Sequence, residues 1–468
     1  MGLYQFFSGL FGSKTTSGYE VIDRIQTNQL PQTPRPQVAS KELTSHNRRD
    51  ILSQSRYIYR SDGTIKELVD NMALYSIGTG ITPQPLSSNS AFNNKVQNDF
   101  LRWWNRPEIT GRFTGRDVQK FISTAYDVDG EIFIIKTHDK QTNEPKIQLI
   151  EAQQVKTDSE HKDYESGIKF DEYGKPLSYL IELSSGQYTE VPASSVIHIF
   201  NAERATSTRG ISTFTHLLSL TNQRTELLDL TLQKARQEAK FVNAIEQTKS
   251  DNTLSASDYL NGVSDSSDEE QSLFESASRV SSVIGGTTVS LPRGMTLKQL
   301  SNNTPGNSYL GFAEQLLKLS SCGLMPYGFN DPSNLTGVSV RMTIAKAARV
   351  ISDRQELICK VMEDIYHYFL GWMLSSEEYT SITEDVSDLF GVTWQCPRSV
   401  TVDYGKDEKT DLILLQQGVK PIEDYYAERG LDFTTEAKKR LDALSQLKEQ
   451  CKALNINPEA AFPAIFKP

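Results

Sequence analysis

The sequence predicts an α+β protein, and three observations predict it. Helical spacing of apolar residues over 65–126 gives way to strand-like alternation over 131–200, and a run without proline covers 210–242. The third is the stretch Ser301–Asp353, where a short apolar helix and a long basic-faced helix hold between them a loop rich in Gly, Pro and Asn. Two prolines, two glycines and two asparagines over Pro326–Val338 neither continue a helix nor start a strand, so a deformable segment sits between rigid ones.

The chain has 468 residues, enough for about three domains and a large core. A hydrophobic share of 37% and a charged share of 23% belong to a folded protein, which excludes a disordered chain. The net charge of -10 excludes a surface that grips nucleic acid over its whole extent, because phosphate neutralisation needs concentrated Lys and Arg. No apolar run reaches the roughly 18 residues of a membrane span, and the start MGLYQFFSGLFGSK lacks the pattern of a signal peptide, so a cytosolic fold is expected. Cys322, Cys359, Cys396 and Cys451 lie far apart in sequence and are expected as separate buried, reduced thiols.

Taken in order, Leu3, Phe6, Phe7, Leu10 and Phe11 mark one side of a short helix in an N-terminal arm, followed by the proline-rich LPQTPRPQ. Three helices follow. Ile65, Leu68, Val69, Met72, Tyr75 and Ile77 define the first, which Gly78 and Gly80 end; Phe92, Val96, Phe100, Leu101, Trp103 and Trp104 define the second. The third spans about Thr114–Tyr126 with Val118, Phe121, Ile122 and Ala125 inward. EIFIIKT, KIQLIEA, SYLIEL and VPASSVIHIF then form one antiparallel sheet of four or more strands.

From Gly210 to Val242 a single helix of roughly 50 Å is expected. Its leucines, Leu217 to Leu232, drift between faces, so it needs neighbours on more than one side, and copies of the chain are the expected source. Residues 246–290 turn polar, and the Gly-rich turns of SSVIGGTTVSLPRGMTLKQL read as two short strands. Another helix begins with Ser339 as its cap; Arg341, Lys346, Arg349 and Arg354 give it a solvated basic start. Leu357, Ile358, Val361, Met362, Ile365, Phe369 and Trp372 give it a core-facing end. A last strand in VTWQCPRSVTVD and helices near 405–417, 421–429 and 434–454 close the chain.

Enzyme signatures do not stand. GLFGSKTT has the wrong spacing for a phosphate loop, and DVDGE would put Ala125 and Lys136 where a calcium loop needs carboxylates. No HExxH or GxSxG occurs, and His198 in VIHIF reads as a core residue. Arg341, Lys346 and Arg349 suit either a solvated face or sequence-independent contact with a phosphate backbone.

The order and spacing of several pieces resemble the portal proteins of tailed bacteriophages, of the lambda type. They are YSIGTGITP (75–83), LRWWNRPEITGR (101–112), DVDGEIFIIK (127–136), VPASSVIHIF (191–200), RGIST (209–213), LPRGMTLKQLSNNTPGNSYLGF (291–312), GLMPYGFNDPSN (323–334), SVR (339–341) and WQCPRSVTVD (394–403). The resemblance implies a ring subunit with an N-terminal arm (1–45), an α+β wing (46–209), a first stem helix (210–245), a small β-containing clip (246–304) and a second stem helix (305–325). It further implies a tunnel loop (326–338), a long kinked helix with the return strand of the wing (339–404) and a helical crown (405–468).

The same resemblance implies a homo-oligomeric ring, usually of 12 subunits, at one capsid vertex of a virion, assembled in the host cytoplasm. Double-stranded DNA without sequence specificity, the terminase large subunit, a head-tail adaptor and the major capsid and scaffold proteins are its implied partners, and no cofactor, metal or membrane is implied. Tyr327, Asn330, Asn334, Thr336 and Ser339 would face the channel from the loop, and Arg341, Lys346 and Arg349 from the helix behind it. A metal-dependent enzyme acting on DNA or capsid protein, and a shell-forming capsid protein, are the alternatives.

Overall fold

A computed structural model describes residues 38–157, 161, 163–182, 186–240, 243–247, 295–299, 307–320, 324–331, 333, 335–375, 386–398, 400, 401, 404–427, 429, 431 and 433–453. Residues 1–37 of the arm, with GLFGSKTT, and Cys322, Asn334 and most of the expected clip lie outside the described residues. The chain divides into two units, residues 1–221 with 317–468, and residues 222–316.

The first unit opens with α1 (Ser45–Ser61), α2 (Gly63–Ile77), β1 (Thr82–Pro85), α3 (Ser90–Trp104) and α4 (Gly115–Val128). Each helix starts where a side chain satisfies its orphan amides. Thr44 accepts from Asn47, Asp62 from Thr64 and Ile65, and Asn89 from Phe92, while Thr114 and Asp117 form a reciprocal capping box. Gly78 ends α2 at φ +54°, where a Cβ would strike the ring of Pro397. Val118 and Ile122 are buried as expected, but Phe121 is 39% exposed and stands edge-on to Phe113, so α4 turns a narrower apolar face inward than its sequence suggests.

The strands form two small antiparallel sheets where one was expected. β2 (Glu131–His138) lies between β3 (Pro145–Ile150) and β7 (Val196–Phe200), and β5 (Pro176–Glu182) lies between β4 (Ile168–Phe170) and β6 (Tyr188–Pro192). The reason is visible on β2. Ile132 and Ile134 pack into the core shared with the helices, whereas Phe133 on the opposite face packs against Tyr179 and Ile181 of the second sheet. A strand covered on both faces reads as the continuous apolar run EIFII.

The longest helix, α7 (Gly337–Leu374, 38 residues), spans both helical cores: Ala347 and Ile351 enter one, and Ile358 to Met373 enter the other. Phe100, Trp103, Trp104, Tyr366 and Phe369 form an aromatic cluster with ring centroids 4.9–5.6 Å apart. β10 (Val392–Gln395) then pairs with β1, from Thr82↔Gln395 to Pro85↔Val392. The prolines of β1 had hidden it as a strand, and such prolines are tolerated in a two-stranded edge pair. Helices α8 (Tyr404–Gln416), α9 (Ile422–Ala427) and α10 (Phe433–Ala453) follow, and Arg398, Lys420 and Arg429 meet Glu408 and Asp411 in one ion cluster.

In the second unit lie most of α5 (Leu218–Lys240), the antiparallel pair β8 (Asn243–Gln247) and β9 (Met295–Gln299), and most of α6 (Asn307–Ser320). The expected helix from Gly210 starts later, at Leu218, after a single turn at Thr215–Leu217. Residues 209–214 are instead held in the first unit by a buried charge. Glu131, 0% exposed at its side chain, takes both Nε and Nη2 of Arg209, Nη1 of Arg48 at 2.9 Å, Nε2 of His198 at 3.2 Å and the amide of Gly210 at 3.1 Å. His198, as expected, is a core residue, stacked on Phe133 and Phe200.

Candidate nucleic-acid interface

The loop read as deformable is anchored at its start. Leu324 and Met325 are buried in the helical core, and Pro326 leads into one helical turn, Tyr327–Asn330. Phe329 stands edge-on to Tyr75 at 5.0 Å, and Asn330 Oδ1 accepts from Asn71 Nδ2 at 3.2 Å. Gly328 lies so close to Leu335 that a Cβ would meet its side chain at 2.8 Å. The side-chain oxygen of Asn330 thus faces α2.

Beyond Asn330 the backbone turns. Asp331 Oδ1 accepts from the amide of Ser333 at 3.1 Å, a local turn of the kind Asx residues favour. Thr336 rather than Ser339 occupies the cap position of α7, and the two exposed hydroxyls lie 3.1 Å apart. The short polar side chains around the turn suit a cap better than the helix interior, and Gly337, two residues before Ser339, still takes helical geometry as a first-turn residue.

Arg341, Lys346 and Arg349 are exposed on the first four turns of α7. At about 100° per residue these three fall within one half of the helix circumference, opposite the side on which Ala347, Ile351, Arg354 and Gln355 are buried. Val338 and Met342, each 70% exposed, share the outward side. The fourth expected surface cation is a correction: Arg354 is buried, with Nη2 at 2.6 Å and Nη1 at 2.9 Å from the carboxylate of Asp127. Sequence spacing could not separate it from the other three, because the signal lies in Asp127, more than 200 residues earlier.

The outward side of α7 thus carries two hydroxyls, three cations and two apolar side chains next to a short polar turn. Point charges on one rigid helix can touch phosphates at any base sequence, because every nucleotide carries the same phosphate. Among the described residues no group of three His, Cys, Asp or Glu could hold a metal ion, and no helix is long and apolar enough to cross a membrane.

The family model described as "Phage portal protein, lambda family" matches residues 27–355. Among solved structures, a chain from the neck of an empty gene transfer agent particle, computed with C6 symmetry, is 11% identical. It superimposes with a TM-score of 0.50 over 82% of this chain and 94% of that one, which shows a shared fold. A chain from the neck of the native particle, computed with C12 symmetry, gives a TM-score of 0.47 at 14% identity over 80% and 90%. A portal protein of the HK97 family from Corynebacterium diphtheriae gives 0.28 at 10% identity over 68% and 90%. No curated protein matches the sequence. The matched family spans most of the chain, from before the first described helix into the long one, and on that ground this chain belongs to the lambda family of phage portal proteins.

Proposed function

We propose that the chain forms a ring, of 12 copies, at one capsid vertex and that duplex DNA passes through it without sequence specificity. The protein is a phage portal, the head-tail connector of a virion, and its family is a structural one. The observation that carries the ring is α5. Leu228, Leu230 and Leu232 are 47%, 56% and 50% exposed, and at 100° per residue Leu230 faces away from the other two. A helix with large apolar side chains on opposite exposed sides is unfinished as a single chain, and neighbours on both sides complete it.

On this reading α5 and α6 are stem helices, the β8–β9 unit belongs to the clip and α8–α10 form the crown. The turn at 331–336 with the basic side of α7 meets the DNA. Twelve copies at -10 each sum to about -120, so the ring repels the duplex overall while the few cations on α7 centre it. Force comes from the terminase large subunit docked at the clip, and the head-tail adaptor, major capsid and scaffold proteins take other surfaces.

Electron microscopy of the purified protein, with mass measured alongside, tests the reading. Rings of 12 with a hole of roughly 20 Å or more support it, whereas closed hexamers and pentamers without a single channel would replace it with a shell protein. Deleting Asn330–Thr336 is expected to leave ring assembly intact and to impair DNA packaging or retention; loss of the ring would make the segment structural. Turnover of ATP by the purified ring would overturn the assignment of force to a separate motor.

A further inference from the structure

Cys359 lies on α7 and Cys396 directly follows β10. Their Sγ atoms are 3.5 Å apart, and both thiols are free and half-buried. Sequence distance had suggested two unrelated cysteines. What brings them together is the register of the strand exit on the helix. Gln355, one turn before Cys359 on the same side of α7, donates from Nε2 to the carbonyl oxygens of Ser76 and of Pro397, the neighbour of Cys396. On the other side of Cys396, Gln395 is held in β10 opposite Thr82.

We propose that Cys359 and Cys396 are a modification site: they form a disulfide when the protein leaves the reducing host cytosol, and that bond ties α7 to the segment leading into the C-terminal helices. Virion surfaces are oxidising, and the cytosol is not. A disulfide needs the sulfurs to close from 3.5 Å to about 2.05 Å.

The two thiols share one hydrogen bond in which either sulfur can be the donor, so either can be the first to attack, and the chemistry is the same with the two exchanged. With a low-molecular-weight disulfide such as oxidised glutathione as oxidant, the Cys396 thiolate attacks one glutathione sulfur, the glutathione S–S bond breaks and one glutathione thiolate leaves. Cys359 then gives up its proton and attacks the Cys396 sulfur of the mixed disulfide. The Cys359–Cys396 bond forms and the second glutathione thiolate leaves; two electrons have passed from the protein thiols to glutathione.

The test is a digest without reduction. Full-length protein is incubated with oxidised glutathione or with dithiothreitol, free thiols are trapped with iodoacetamide under denaturing conditions, and the peptides are weighed. After oxidation the Cys359 and Cys396 peptides are expected as one linked species, lighter by two hydrogens than the pair and absent after reduction; purified virions should show it without added oxidant. C359S and C396S should each abolish the linked species and leave the remaining cysteine to be alkylated or to carry glutathione. Full alkylation of both cysteines after oxidation or in virions, or a bond from either one to Cys322 or Cys451, would overturn the proposal.

Discussion

Replacing Glu131 with Gln is the sharpest perturbation the fold offers. The side chain keeps its shape but loses the charge that faces Arg209 and Arg48, and one oxygen becomes an amide nitrogen directed at their donors. Both guanidinium groups are almost fully buried, with side-chain exposures of 2% and 5%, so water does not compensate. Leaving a buried charge unpaired costs about 3–5 kcal/mol, and at 2–4 °C per kcal/mol this predicts a melting temperature lower by roughly 6–20 °C. Scanning calorimetry or differential scanning fluorimetry of the full chain reads it. Adding Arg48→Met to Glu131→Gln removes one of the two stranded cations and should recover part of the loss, a coupling of about 0.5–3 kcal/mol. A single-variant shift under about 2 °C, equivalent to less than about 1 kcal/mol, would show that this cluster does not hold residues 209–214 to the sheet.

The same cluster sets acid sensitivity. Burial pushes the Glu131 carboxyl up, but the charge of Arg209, hydrogen bonds from His198 and Arg209 and the charge of Arg48 outweigh it and hold it well below its ordinary 4.5. Its contribution is complete above that value and is lost as pH falls toward the folded value. Burial lowers His198 from 6.5, partly offset by its hydrogen bond to Glu131, so it stays neutral in the fold while the unfolded chain takes a proton below 6.5. Stability should therefore begin to fall as pH drops below about 6.5, and His198→Gln should flatten the upper part of a melting-temperature profile between pH 7 and pH 5. Arg354→Met strands Asp127 and should cost about 3–5 kcal/mol in denaturant unfolding, whereas Arg341→Ala, Lys346→Ala and Arg349→Ala together should leave the midpoint within about 0.5 kcal/mol per site and instead lower DNA retention in assembled heads. Gly130→Ala, at φ +81° with the backbone of Ile211 where its Cβ would lie, should cost at least about 1–3 kcal/mol and lower soluble yield in expression trials.

Much of this was legible in the sequence because apolar period survives without context. Ile65, Leu68, Val69 and Met72, or Ile358, Val361, Met362 and Ile365, mark their faces by spacing alone, and all are buried. What escaped depends on partners far away in the chain. Arg354 looked like Arg349 until Asp127 was placed beside it, and Gly210 looked like a helix start until the Glu131 carboxylate was found on its amide. β1 escaped because two prolines in four residues argue against a strand, and only the pairing with β10 supports one. At the candidate interface, Arg341, Lys346 and Arg349 lie on the exposed helix face their spacing suggested, whereas the cap fell on Thr336 and not on Ser339. Nothing in NDPSN announces the hydrogen bond that Asn71 donates to Asn330.

The pairing of β1 with β10 also sets a clock on synthesis. Thr82 meets a residue 313 positions later, so everything between must leave the ribosome before the first unit closes. At 5–20 residues per second that interval is on the order of 15–60 s. Throughout it Ile77, Phe100 and Trp104 lack the aromatic and aliphatic side chains of α7 that later cover them. A nascent chain in this condition is a client for a holding chaperone, and stalling translation between residues 222 and 316 should raise its co-purification with one. The long-range strand that completes the fold is thus also what makes the chain wait.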